Sequence, residues 1–372
     1  MPAENLSAGG ESVDSAADLA HMHRATQLGE SVRGTTAPNP WVGAVLASAD
    51  GTAFEGATEP PPGRHAEIVA LDAARRAGVD PAGATLYTTL EPCSHTGRTA
   101  PCIEAIIAAG VGRVVIGVTD PDPNVSGSGV EALRAAGIKV SAGVAAEFVD
   151  SSLRPYLHQR QSGRPWVVLK LAATLDGRTG APDSTSQWIT SPEARADAHA
   201  LRARCDAVLV GAGTVRADDP SLTVRELPPS DPRRPLLDMR EAGDEPDDLP
   251  LTRAAADRLD PRRFVLGMAP AEAKVQPCME VSGSLRSVVP RLTDDGVVEL
   301  LVEGGANVAG ELHREGFVDE YVVYLAPAIA GGDDSLPMLA GPGAPTIAEF
   351  WRGQIVDMRS IGPDVRITVL PG

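Results

Sequence analysis

Between positions 65 and 102 the chain sets out a set of side chains able to do metal chemistry together: His65, Glu67, Cys93 and Cys102. One imidazole and two thiolates make three zinc ligands and leave the fourth tetrahedral position open to water, as a catalytic site requires. Zinc lowers the pKa of such a water to about 7. Glu67 lies two residues from His65, near enough to share the pocket without ligating the metal. It can take the water proton and pass it to a ring nitrogen and then to a departing amine. An H-x-E…P-C-x-x-C signature with these roles marks zinc-dependent deaminases of nitrogen-containing rings. Here the cysteines are separated by eight residues (SHTGRTAP) rather than two. If Cys93 ends a strand and Cys102 opens a helix, that polar loop can fold back and bring both thiols to one ion, the helix start favouring the Cys102 thiolate. Two readings stand beside this one: a pair of buried free cysteines near an ordinary helix, or His95 as a fourth ligand closing the site.

The elements needed for this geometry are legible. Apolar runs over 41–48, 84–89, 113–118 and 139–142 predict strands. Residues 19–28, 65–77, 102–109 and 130–136 predict helices, Gly78 stopping the second. Alternation of this kind predicts an α/β layered fold. Ser151 to Pro165 is polar and flanked by prolines, which predicts a linker over 151–164 between a first domain at 17–150 and a second at 165–372. Residues 1–16 are rich in Ser, Ala, Gly and Glu and predict a flexible tail. In the second part the pattern continues with strands near 166–172, 207–210, 263–267, 298–302 and 320–325 and a helix over 194–203. Periodicity weakens between about 226 and 262, where five acids fall in the eight residues from Glu241 to Asp248, predicting a solvated insertion.

Whole-chain properties limit the partners. At 372 residues the chain exceeds one ordinary domain, and 43% hydrophobic residues suffice for packed cores. A net charge of −17 argues against a nucleic-acid backbone as partner, while leaving room for a small anionic substrate held by a few arginines. No apolar run reaches the ~20 residues of a membrane span, and no basic-then-apolar leader opens the chain. Four cysteines in a chain of this size read as metal ligands or core residues rather than a disulfide framework. A cytoplasmic homo-oligomer is the expectation.

In the second half, Gly211-Ala212-Gly213-Thr214 follows an apolar strand, and Gly304-Gly305 follows another. Both can bring backbone N–H groups against a cofactor phosphate or ribose, although no complete G-x-G-x-x-G fingerprint is present. Arg202 and Arg225 have the forked geometry that binds phosphate. Arg202, in an Arg-rich helix, also has a plain structural reading as a solvated charge, and Trp188 as a core aromatic. Lys170 on an apolar strand is harder to dismiss, since a buried lysine is costly unless paired.

Taken in order, the motifs resemble those of the bifunctional riboflavin-biosynthesis deaminase–reductases. They comprise PNPWVGAV at 38–45, HAE at 65–67, TLEPCSHTGRTAPC at 89–102, DPDPNVSGSG at 120–129, KLAATLDG at 170–177, SQWIT at 186–190, GAGTVRADDPSLTVR at 211–225, LVEGG at 301–305 and VDEYVVYLAP at 318–327. The resemblance covers about 17–369, apart from 226–262. It implies a cytidine-deaminase-like three-layer α/β/α domain followed by a dihydrofolate-reductase-like α/β domain. The first would use Zn2+ to deaminate a phosphorylated pyrimidine ribotide, 2,5-diamino-6-ribosylamino-4(3H)-pyrimidinone 5′-phosphate. The second would use NADPH to reduce its ribosyl group to ribityl. The resemblance implies NADPH contacts at Ala172, Trp188, Thr214, Asp218 and Gly305. It implies substrate contacts at Ser186, Arg202, Leu222, Arg225 and Glu303, with Asn39 as a further candidate beside His95 and Lys170. Three departures stand out: Thr58 where the family often has histidine, Asp122 where asparagine is usual, and Thr174 in place of serine. A tRNA-editing deaminase with an appended nucleotide-binding module, or a relative with one domain inactive, are the alternatives.

Overall fold

The computed structural model describes residues 15–94, 100–122, 126–183, 185–243 and 251–372. The first unit runs α1 (Ala16–Val32), β1 (Gly43–Ala47), β2 (Ala53–Ala57), α2 (Ala66–Arg76), β3 (Thr85–Leu90), α3 (Cys102–Ala108), β4 (Arg113–Val118), α4 (Ser128–Ala135), β5 (Lys139–Ala142) and α5 (Ala146–Ser162). Its sheet has the order β2-β1-β3-β4-β5, with β1 antiparallel to both neighbours and β3, β4 and β5 parallel. Helices α1 and α5 pack together, and α2, α3 and α4 form a second contiguous set. Glycine permits the tight layering. A Cβ on Gly43 would sit 1.7 Å from the Ala25 carbonyl of α1, and one on Gly56 2.1 Å from the Ala66 carbonyl of α2. Ser15 caps α1 by accepting from the Asp18 amide at 3.0 Å. The buried Asp18 carboxylate then accepts from Tyr87 of β3 (2.9 Å) and twice from Arg113 of β4 (2.8 and 3.0 Å), tying the helix to two strands.

The second unit contains β6 (Trp166–Thr174), β7 (Arg178–Gly180), α6 (Pro192–Arg204), β8 (Ala207–Gly211), α7 (Ala212–Asp218), α8 (Arg234–Ala242), α9 (Arg253–Ala256), β9 (Arg262–Leu266), β10 (Met279–Val281), α10 (Leu285–Arg291), β11 (Glu299–Val302), α11 (Ala306–Arg314), β12 (Glu320–Ala326), β13 (Leu336–Pro337), β14 (Gly353–Ile361) and β15 (Asp364–Pro371). The eight-stranded sheet has the order β10-β9-β8-β11-β6-β12-β15-β14. It is parallel from β10 to β12 and antiparallel across β12, β15 and β14. β7 and β13 form a separate antiparallel pair.

Two expectations change. The predicted linker is instead most of helix α5, with Val149, Leu153, Tyr156 and Leu157 buried at helical spacing. Its polar composition and Pro155 mask that stripe in the sequence. The stretch at 226–262 is likewise more than a solvated insertion. It carries α8 and α9, and Leu236, Leu237, Met239, Leu251, Ala256 and Leu259 join the same apolar cluster as the first domain's core. Only part of the acidic run, 241–243, is described; the rest lies outside the described residues, as does nearly all of the predicted tail.

The two units meet through a buried charge cluster. Arg33, at the end of α1, donates through Nε and Nη2 to Glu299 of β11, each at 3.0 Å. Arg204, at the end of α6, lies 3.0 Å from both Glu299 and Glu320. Gly34 (φ +87°) sits so close that a Cβ there would lie 2.2 Å from the Ala203 carbonyl.

Candidate active sites

His65 occupies the cap position of α2 with extended backbone, and its side chain makes no capping bond to the helix. Cys93 follows the end of β3, and Cys102 opens α3. The Cys102 amide donates to Cys93 Sγ at 3.3 Å. His65 Nδ1 lies 3.1 Å from Cys102 Sγ and 3.6 Å from Cys93 Sγ. The three donor atoms lie within 4.8 Å of one another, and among the described residues no other such group of three occurs. Tetrahedral zinc puts its nitrogen and sulfur ligands about 3.5 Å apart, so the donors fit this ion. The contact between the two thiols draws Cys93 below the ordinary thiol range and pushes Cys102 above it, burial adding to the latter. Glu67 is buried, with one carboxylate oxygen 3.6 Å from Cys102 Sγ and the other 3.5 Å from Thr88 Oγ1. Burial raises its carboxyl above the ordinary range. His95 lies outside the described residues.

Glu91, quoted within a motif but given no role in the sequence reading, organises the rim. Its buried carboxylate accepts from the amides of Asp120 (3.3 Å), Gly127 (3.0 Å), Gly129 (3.0 Å) and Val130 (3.2 Å). An acid between an apolar run and Pro92-Cys93 was the available signal. Because β3 and β4 are parallel neighbours, the chain leaving β3 toward Cys93 and the chain leaving β4 toward Asp120 emerge side by side. Thr58 is buried, its hydroxyl accepting from the Val42 amide (3.1 Å) and donating to the Val42 carbonyl (3.3 Å), so it braces β2 against the chain entering β1. Asn39 is half-buried, and its backbone closes the 36–39 turn with Thr36.

In the second unit one cleft of about 1260 Å³ is lined by every reductase residue named from sequence: Lys170, Ala172, Ser186, Trp188, Arg202, Thr214, Asp218, Leu222, Arg225, Glu303 and Gly305. β8 and β11 are parallel neighbours, so the glycine turns that follow them lie side by side. The Gly305 amide donates to Thr214 Oγ1 at 3.1 Å, joining the two turns. A Cβ on Gly213 would meet nothing within 4 Å, and its backbone stays open to a ligand. Paired glycine turns at adjacent strand ends suit a dinucleotide. Ser186 donates to Asp218 at 2.9 Å, linking a residue expected on substrate to one expected on cofactor. Trp188 is 69% exposed, a wall rather than a core residue, with the Arg195 guanidinium 4.5 Å from its ring centre. Leu222 is buried with φ +54°, a left-handed backbone that turns the chain at the cleft edge.

The cleft floor is ionic. Arg202 grips Glu303 through two hydrogen bonds of 2.5 and 2.9 Å. Burial works against the Glu303 carboxylate, yet Arg202, with Lys170 and His199, holds it down at about 2. Burial lowers the Lys170 ammonium, with Glu303 opposing. The sequence reading missed His199 and Arg195, which line the same cleft. With Arg202 they fall at i, i+4 and i+7 along α6, one helix face. His199 Nδ1 accepts from the Arg225 amide at 3.3 Å, and burial together with the charges of Arg202 and Arg225 lowers it to about 4.

Fold and sites together define a two-domain deaminase–reductase: a cytidine-deaminase-like α/β/α layer with a zinc centre, then a dihydrofolate-reductase-like domain that takes NADPH. Residues 15–118 match the cytidine and deoxycytidylate deaminase zinc-binding region, and residues 165–367 match the RibD C-terminal domain. The riboflavin biosynthesis protein RibD of Mycobacterium tuberculosis is 39% identical over 366 residues, covering 97% of this chain and 98% of the relative. That of Escherichia coli is 38% identical over 94% of this chain and 98% of its own length. The structure of Acinetobacter baumannii RibD superposes with a TM-score of 0.81 at 30% identity, over 95% of this chain and 99% of that one. A deaminase/reductase of the same kind from Thermotoga maritima gives 0.78 at 32% identity, with the same coverage. The chain belongs to the RibD family of riboflavin-biosynthesis proteins.

Proposed function

We propose that the chain catalyses two successive steps on one phosphorylated pyrimidine ribotide. It deaminates 2,5-diamino-6-ribosylamino-4(3H)-pyrimidinone 5′-phosphate and then reduces the product's ribosyl group to ribityl with NADPH. The observation that carries the first step is the His65, Cys93 and Cys102 donor cluster with a buried, non-ligating Glu67 against it. A zinc ion held there supplies the Lewis acidity that makes a water nucleophilic near neutral pH. Glu67, whose carboxyl burial raises, takes one proton from the water and gives it to a ring nitrogen, then carries the second proton, from the hydroxyl now on the ring carbon, to the amine, which leaves as ammonia. Asn39, on the turn facing this rim, orients the ring.

For the second step, NADPH supplies the hydride when bound. The Gly213–Thr214 and Gly305 turns cradle it, Ala172 and Trp188 flank it, and Asp218 fixes Ser186 beside it. Arg225 and Ser186 hold the ribotide, and Leu222 shapes the cleft edge. Lys170 stands on the cleft floor with Glu303 and Arg202 as its charged neighbours. We assign it the proton that balances hydride addition at the sugar carbon. The charge of −17 supports a small substrate over a nucleic acid. The four cysteines are free, which supports a reducing, cytoplasmic setting, and no described helix is long and apolar enough to cross a membrane. β14 supports a homo-oligomer. It is a nine-residue edge strand with Ile355, Val356 and Met358 outward, and long apolar edges are usually covered.

Purified, zinc-loaded protein given the ribotide and NADPH releases ammonia and oxidises NADPH. Glu67→Gln keeps its zinc and loses ammonia release. Lys170→Met releases ammonia normally but oxidises NADPH at least ~100-fold more slowly. Wild-type protein with neither activity rejects the reading.

A further inference from the structure

Helix α5, read from sequence as a linker, sends two polar side chains to the rim of the deaminase site. Tyr156 is buried and donates to Asp120 Oδ2 at 3.0 Å. The other oxygen of that carboxylate accepts from the Asp122 amide at 2.9 Å, so Tyr156 holds the start of the loop after β4. One helical turn on, Arg160 lays its guanidinium 4.9 Å from the centre of the Tyr156 ring. Its Nη2 donates to the Pro38 carbonyl at 3.3 Å, and its Nε lies 4.0 Å from Asp122 Oδ2. Nε is buried and makes no hydrogen bond among the described residues. Asp122 and Arg160 are both mostly shielded, with side-chain exposures of 22% and 29%.

These contacts join the two walls of the rim. Pro38 belongs to the 36–39 turn, which carries Asn39, and Asp122 belongs to the loop whose backbone Glu91 grips. The chemistry also has a direction. A phosphomonoester is a dianion near neutral pH, and an uncompensated carboxylate on the rim repels it. An arginine beside Asp122 cancels that charge, and the same guanidinium, stacked on Tyr156, pins the turn opposite.

We propose that Arg160 is a positioning residue of the deaminase site, which neutralises Asp122 and locks the 120–122 loop to the Pro38 turn, so that an anionic ribotide meets a compensated and rigid rim. This rests on the deaminase reading above and assigns its site a specificity device outside the zinc motif. It acts on substrate capture rather than on the proton transfers of Glu67. Its loss is therefore expected in KM, with kcat and the reductase step left in place. Relieving the repulsion at Asp122 is expected to restore much of what the loss of Arg160 removes.

Steady-state ammonia release and NADPH oxidation are measured on full-length, zinc-loaded wild type, Arg160→Met, Arg160→Lys, Asp122→Asn and the Arg160→Met/Asp122→Asn pair. The expected results are a deaminase KM about tenfold higher in Arg160→Met, a kcat within about twofold, and unchanged reductase kinetics and thermal transition. Arg160→Lys, which keeps the charge, loses less, and the double variant regains at least about threefold in KM. An unchanged KM in Arg160→Met overturns the proposal. So does a loss that the double variant leaves undiminished, or one that the reductase activity and thermal transition share. Absence of ammonia release from the wild type is a different failure, because it removes the deaminase reading itself and the role of Arg160 with it.

Discussion

Glu299 is the group on which the seam between the two domains depends, and Glu299→Gln tests that dependence. Its side chain is fully buried and faces two guanidiniums, Arg33 from the first domain and Arg204 from the second, at about 3.0 Å each. The substitution keeps the shape and removes the charge, leaving two buried cations short of an anion. Breaking a buried ion pair by removing one partner costs about 3–5 kcal/mol. Each arginine keeps a second carboxylate, Glu30 at 3.2 Å for Arg33 and Glu320 at 3.0 Å for Arg204, which places the loss near the lower end, about 3 kcal/mol. For domains of this size each kcal/mol moves the thermal midpoint by about 2–4 °C, so the shift is roughly 6–12 °C. Thermal unfolding followed by far-ultraviolet circular dichroism measures it. Arg33→Met and the double variant complete a cycle whose coupling is about 1–3 kcal/mol, because the two residues touch. A shift below about 2 °C, or additive losses in the cycle, refutes the idea that this cluster fastens the domains.

Two further outcomes follow from the second domain. His199 is held at about 4 in the folded chain against an ordinary 6.5. Its depressed value means that the unfolded chain binds the extra proton, so its contribution to stability is complete above pH 6.5 and declines as pH falls toward 4. Wild type therefore loses about 2 kcal/mol relative to His199→Asn between pH 7.5 and pH 5, read from urea midpoints at the two values, and parallel pH curves contradict it. Sedimentation equilibrium of the wild type is expected to show a dimer, and Met358→Glu on β14 is expected to shift it toward monomer. A wild-type monomer, or an unchanged dimer in the variant, removes β14 as the interface.

Much of both sites is legible in the sequence because chemistry constrains local spacing tightly. His65 and Glu67 share one helix start, and Cys93 and Cys102 bracket a loop between a strand and a helix, so the donors meet once α2, β3 and α3 form. The reductase residues are dispersed from 170 to 305, and no spacing rule collects them; the resemblance did so, and the cleft gathers all of them. Illegible were groups that matter through long-range placement. Arg160 belongs to a stretch whose proline and polar residues conceal a helix, and its partners lie 38 and 122 positions away. His199 and Arg195 look like surface residues until α6 turns their face inward. The leucines at 236–259 sit beside an acidic run that hides how firmly that segment packs against the other domain.

Helix α5 also determines where this protein can be cut. A fragment ending at residue 150 would lack Leu153, Tyr156 and Leu157 from its core and Arg160 from its rim, while one continuing through Ser162 keeps them all. The reverse cut is no cleaner, since α8 and α9 lend the second domain's leucines to the first domain's apolar cluster. Each half thus completes the other, and their union is a mutual graft rather than a tether. Engineers who wish to transplant either activity alone have to carry a piece of its neighbour or rebuild the surface that its absence exposes.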